Sequence, residues 1–164
     1  MEETNVNLDK NNIDSSEEEL KEDIEYIKFL VFKSDGIFFG IDISNVIEII
    51  INKNITHVPM TPPHVIGVIN LRGQVIPIMD MRRKMNKPDI EYDDDACIIV
   101  LDYMSTRIGV FVEGVAYVAD VDIETATENS VRNKEKFIKG MINDNGKTIL
   151  LLDLEIVADR KSVV

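Results

Sequence analysis

From Tyr26 onward the chain is written in short apolar runs of strand length, separated by turn residues. YIKFLVF, IFFGIDI, VIEIII, HVIGVIN, QVIPIMD, ACIIVLDY, RIGVFV, VAYVADVD and TILLLDL are all enriched in β-branched and aromatic residues, the composition that fits a pleated, half-buried surface. So many short strands with turn signals between them predict an all-β sandwich or barrel. In IFFGIDI the alternation sends Ile37, Phe39, Ile41 and Ile43 inward and Phe38, Gly40 and Asp42 outward. Phe38 is then an exposed apolar spot beside a glycine, of the kind used in protein contacts.

The series repeats. GIDISNVIEI (40–49) aligns without a gap on GVFVEGVAYV (109–118), and GVINLRGQVIPIMDM (67–81) aligns on GMINDNGKTILLLDL (140–154). Self-similarity of this kind means one supersecondary unit used twice. A half of about 70 residues with four or five strands suits a small closed barrel better than an open sheet with free edges. The predicted fold is therefore all-β with short helices: two pseudo-repeated five-stranded barrels packed together, one per half, and a short C-terminal helix.

The repeat isolates one residue. Between the apolar runs of the second hairpin lies Asn70-Leu71-Arg72-Gly73, where glycine supplies the positive φ of a tight turn and Asn70 can bond nearby backbone. The matching turn reads Asn143-Asp144-Asn145-Gly146, so the turn can be made without an arginine. A guanidinium offers a planar fork of donors for carboxylates and amides, which makes Arg72 a candidate binding residue.

Charge bounds the function. The chain carries −12, of which Met1 to Glu25 hold −8 through ten acidic residues against Lys10 and Lys21, leaving −4 for the body. That balance argues against a binder of phosphate backbones. Residues 1–24 have few large apolar side chains and are expected to be a disordered acidic tail, residues 25–157 the folded domain, and residues 158–164 a flexible C-terminus. The N-terminal stretch lacks the basic start and apolar core of a signal peptide, and no run approaches a membrane span. A cytoplasmic location follows, with Cys97 a small buried hydrophobe in ACIIVL.

Catalytic and metal patterns are missing. His57 and His64 fall in the proline-rich connector THVPMTPPHV without cysteine or spaced carboxylate partners. NGKT (145–148) lacks the upstream glycine of a phosphate loop and is followed by a strand. Asp93-Asp94-Asp95 lacks the glycine-containing loop and distal glutamate of a calcium site. Ser44, Ser105 and Ser130 sit in no nucleophile elbow. No enzyme, cofactor or metal is expected.

VPMTPPHVIGVINLRGQVIPIMDMR (58–82) resembles the hallmark segment of the CheW-like family, the coupling proteins of bacterial chemotaxis. EYIKFLVFKSDGIFFGIDISNVIEII (25–50) looks like that family's first hairpin and RIGVFVEGVAYV (107–118) like the start of its second barrel. The resemblance implies a pair of SH3-like barrels and a non-enzymatic adaptor. Its partners are the regulatory domain of the histidine kinase CheA and the cytoplasmic tips of methyl-accepting chemoreceptors, with recruitment to membrane-associated arrays and no direct membrane insertion. It further implies receptor contacts at Arg72, Val46, Glu48 and Gly67, with Val115 and Val118 in the repeat, and kinase contacts around Phe38, Gly40 and Ile41. The rival class is a small barrel that binds nucleic acid, which the lack of a basic stripe with interleaved aromatics opposes.

Overall fold

A computed structural model describes residues 23–51, 54–128 and 136–158. The first hairpin is β1 (Tyr26–Ser34) and β2 (Ile37–Asp42), and a single 3-10 turn leads from it into β3 (Val46–Ile50). A second hairpin, β4 (Val65–Leu71) and β5 (Gln74–Asp80), ends in the one-turn helix α1 (Met81–Lys84). The second half repeats the plan with β6 (Cys97–Tyr103), β7 (Thr106–Val112), β8 (Gly114–Asp122), the short β9 (Thr127–Glu128), β10 (Ile138–Asp144), β11 (Lys147–Leu152) and α2 (Leu154–Val157). The conserved position of an aspartate in the repeat has a structural reason: Asp80 and Asp153 are the N-caps of α1 and α2, accepting from backbone N–H groups of the first turn.

Two sheets result, but not one per half. Barrel I has the strand order β3-β6-β7-β5-β4, and barrel II the order β8-β1-β2-β11-β10-β9. Each half lends its opening hairpin to the other half's barrel, joined there by a parallel seam: Ile78 opposite Gly109 in barrel I, Ile149 opposite Phe38 in barrel II. This corrects the contiguous-halves expectation while keeping its symmetry. The physical cause is that the opening hairpins are apolar on both faces, so each needs cover on both sides. Phe29 and Val31 face the interior of barrel II, whereas Leu30, Phe32, Phe39 and Ile41 join Ile99, Leu101, Ile108 and Val110 in a central core shared by the two barrels. Ile69, Ile76, Ile78, Ile98, Val100 and Phe111 fill barrel I.

The same cause overturns the outward reading of the first hairpin. Gly40 is buried, and a Cβ there would lie 3.1 Å from Leu151 and 3.2 Å from Ile149. Ile41 is fully buried in the central core, Phe38 is half-buried against barrel II, and Ile43 is exposed at the 3-10 turn. A strand that is covered on both faces does not read by alternation. Of the expected terminal segments, residues 1–22 and 159–164 lie outside the described residues, while Ala158 is buried in the central core. Among the described residues no helix is long and apolar enough to cross a membrane.

Candidate functional site

Arg72 and Gly73 form the β4–β5 turn with φ of 51° and 83°, and Asn145 and Gly146 form the β10–β11 turn with φ of 49° and 83°. In both, the glycine N–H donates to the asparagine three residues earlier at 3.0 Å. Left-handed backbone suits asparagine and glycine and disfavours arginine. Arg72 therefore occupies its turn at a conformational cost that its counterpart avoids.

The arginine reaches across a gap. Its Nη1 lies 3.1 Å from Glu48 Oε1, so the β4–β5 turn touches β3, the strand at the opposite edge of barrel I. The ion pair adds a side-chain link at this edge to the backbone pairing of Thr56 with Val68, which ties the segment after β3 to β4. Arg72 is 75% exposed and Glu48 28%, so the guanidinium has most of its donors in solvent while the carboxylate is sheltered. Exposed pairs of this kind contribute only about 0.2 to 1 kcal/mol. Closure alone does not account for the choice of residue.

Barrel II closes differently. Tyr117, the repeat partner of Glu48, donates its hydroxyl to Asp144 Oδ2 at 2.8 Å, joining β8 to the end of β10. Partial burial, and then the hydrogen bond to Asp144, raise the tyrosine pKa. Neither residue stood out in the sequence, although the repeat alignment pairs Tyr117 with Glu48 and Asn145 with Arg72 and so contained the signal.

Between the barrels runs a groove of about 530 Å³. Ile49 and Ile51 of β3 face Val115 and Ala116 of β8 across it, Phe38 adds an aromatic surface, and Asp93, Asp95, Glu113 and Lys33 supply charge. Among the described residues no cluster of three His, Cys, Asp or Glu could hold a metal. The two barrels are fixed beside this groove by Arg82 of α1, which is 7% exposed. Its Nη1 lies 2.8 Å from Asp35 Oδ1 in the β1–β2 turn and 3.8 Å from Glu113 Oε1 at the β7–β8 crossing, and its Nε donates to the Pro88 carbonyl at 3.0 Å. The Asp35 N–H donates to the Glu113 carboxylate, and Lys87 lies 3.4 Å from Asp35. The Arg82 hydrogen bond holds the Asp35 carboxyl below the usual carboxylate range.

The expected receptor residues do not gather at one point. Arg72 and Glu48 meet, and Val46 begins the same edge strand, half-buried against the central core. Val115 lines the groove and Val118, also on β8, is exposed. Gly67 offers no surface: it is buried, and a Cβ there would lie 2.2 Å from the Thr56 carbonyl oxygen, because Thr56 pairs with Val68 beside it. Of the expected kinase residues only Phe38 reaches the surface.

Comparison with known proteins matches the CheW-like domain model to residues 28–162. The chemotaxis protein CheW of Bacillus subtilis is 30% identical over 138 residues, which cover 82% of this chain and 88% of the relative. CheW of Klebsiella aerogenes is 32% identical over 131 residues, covering 78% and 79%. The crystal structure of the scaffolding protein TtCheW from Thermoanaerobacter tengcongensis superposes with a TM-score of 0.77 at 25% identity, covering 84% of this chain and 91% of that one. The nucleic-acid alternative finds no counterpart among these relatives. With its family pattern spread over nearly the whole described body and the same double-barrel architecture, the chain belongs to the CheW-like family.

Proposed function

We propose that this protein is a non-catalytic adaptor of bacterial chemotaxis that works in the cytoplasm and is recruited to membrane-associated receptor arrays. It couples the cytoplasmic tips of methyl-accepting chemoreceptors to the regulatory domain of a CheA-type histidine kinase. The unit carrying both surfaces runs over residues 25–157, with the acidic residues 1–24 outside it. Multivalent engagement supplies the affinity of the assembly from contacts that are individually modest. Coupling requires those contacts to differ between kinase states, since a ligand shifts an equilibrium only by its differential affinity.

One observation carries the receptor half of this reading: Arg72 stands three-quarters exposed in a left-handed position that its repeat partner fills with asparagine. The exposed β-branched residues of the two edge strands, Ile47 and Ile49 on β3 and Val115 and Val118 on β8, lend apolar area. A helical receptor tip presents carboxylates and amides that suit the guanidinium fork. Val46 and Gly67 act by shaping β3 and the Thr56 pairing. For the kinase half, Phe38 is the contact, and Gly40 and Ile41 set the hairpin's packing from beneath.

The test is a pair of titrations with Arg72→Ala. Binding to a receptor-tip fragment weakens by roughly 1 to 3 kcal/mol, the scale of a charge-assisted hydrogen bond lost at an interface, and binding to the kinase regulatory domain is unchanged. Equal losses for both partners would make the arginine a structural residue and remove the basis for two separate surfaces.

A further inference from the structure

Lys147 opens β11, and its ammonium is held over two rings of barrel II, 5.1 Å from the centroid of Phe38 and 5.5 Å from that of Tyr117. Its register partner across the turn is Asp144, but that carboxylate accepts the Tyr117 hydroxyl. Among the described residues no carboxylate forms an ion pair with Lys147. The equivalent cluster in barrel I is satisfied internally: Arg107, which stands where Phe38 does, donates to Gln74, which stands where Lys147 does, at 2.8 Å, and Asp102 lies 3.5 Å from its Nε. One copy of the device neutralises its cation and the other presents it.

An ammonium restrained by two aromatic faces has already lost part of the freedom that binding would cost it. In a chain of net charge −12, it selects an acidic partner group against a repulsive background. We propose that Lys147, carried on Phe38 and Tyr117, is the docking point for a carboxylate on the kinase regulatory domain, the partner assigned above to the Phe38 hairpin. The inference rests on that assignment. It gives the Phe38 surface a polar specificity element beside its apolar one: the partner's carboxylate takes the ammonium while an apolar side chain lies against the ring edge.

Calorimetric titration of the full chain with the kinase regulatory domain tests it, alongside an NMR footprint of the complex. Lys147→Glu weakens binding by about tenfold or more, Lys147→Arg stays within about twofold, and Lys147→Met falls between them and loses part of the salt dependence. Affinity for a receptor-tip fragment is unchanged in all three, and melting temperatures confirm the fold. A footprint on Ile37–Asp42 with wild-type affinity in Lys147→Glu overturns the docking point and leaves the hairpin assignment standing. A footprint elsewhere overturns both. A loss confined to the receptor fragment overturns the choice of partner.

Discussion

Barrels I and II are two castings of one plan, and their closures differ in chemistry where their backbones agree. Both turns have the same φ pair and the same asparagine bond, yet barrel I closes with Glu48 and Arg72 and barrel II with Tyr117 and Asp144. Backbone geometry thus sets what the turn needs, and the residue that departs from that need, Arg72, is the one proposed above to contact a partner. The same contrast separates Arg107 with Gln74 from Phe38 with Lys147. Internal duplication serves as a control experiment written into the chain: whatever both copies keep belongs to the fold, as with the N-caps Asp80 and Asp153.

The largest way to break the equivalence is Gly67→Ala. A Cβ there meets a backbone oxygen, which cannot swing aside as a side chain could, so Thr56 must leave the edge of barrel I. We expect a loss of about 3 kcal/mol by urea denaturation, the upper range of overpacking costs. Hydrogen exchange should localise the damage to β4 and spare β10.

Next in size are the paired glycines at the parallel seams. A Cβ at Gly109 would lie 2.4 Å from Ile78 and 2.8 Å from Ile98, whereas one at Gly40 would meet its neighbours at 3.1 and 3.2 Å. Gly109→Ala should cost about 2 kcal/mol and Gly40→Ala about 1 kcal/mol or less. Equal losses in denaturant melts would mean that the two seams are packed alike.

Exchanging the turn residues sharpens the comparison directly. Arg72→Asn relieves an unfavourable left-handed residue at the expense of an exposed ion pair, so stability should hold or rise by up to about 1 kcal/mol. The reciprocal Asn145→Arg should lower it by about the same amount. A destabilised Arg72→Asn variant would show that the Glu48 pair, and not the partner surface, keeps the arginine.

The smallest effect concerns pH. The Tyr117 and Tyr92 hydroxyls both have raised pKa values, burial being the leading cause in each and Asp144 and Asp80 the neighbouring acids. A raised folded pKa contributes stability below the unfolded value near 10 that is lost as pH climbs through the folded value. Tyr117→Phe should therefore cost about 0.5 to 1 kcal/mol at neutral pH and flatten, without abolishing, the alkaline decline, since Tyr92 remains. An unchanged pH profile would mean that the Tyr117 bond contributes nothing to closure.

The sequence by itself determined strands β1 to β8 and β11, the duplication, the two turns and the singularity of Arg72, because these depend on local spacing and on backbone preferences that act over a few residues; β10 was reached only through the repeat, and the two-residue β9 not at all. It also carried the family resemblance, whose hallmark segment is contiguous. Tertiary structure alone decided the exchange of hairpins between barrels, since a strand apolar on both faces does not state which sheet it joins. That exchange buried Gly40 and Ile41 and left Phe38 half-covered. Only packing brought Arg82 to Asp35 and Glu113, Glu48 to Arg72, and Lys147 over two rings. Each of these joins residues far apart in the chain whose meeting depends on how the sheets curl, and a pattern read along one strand holds no record of curvature.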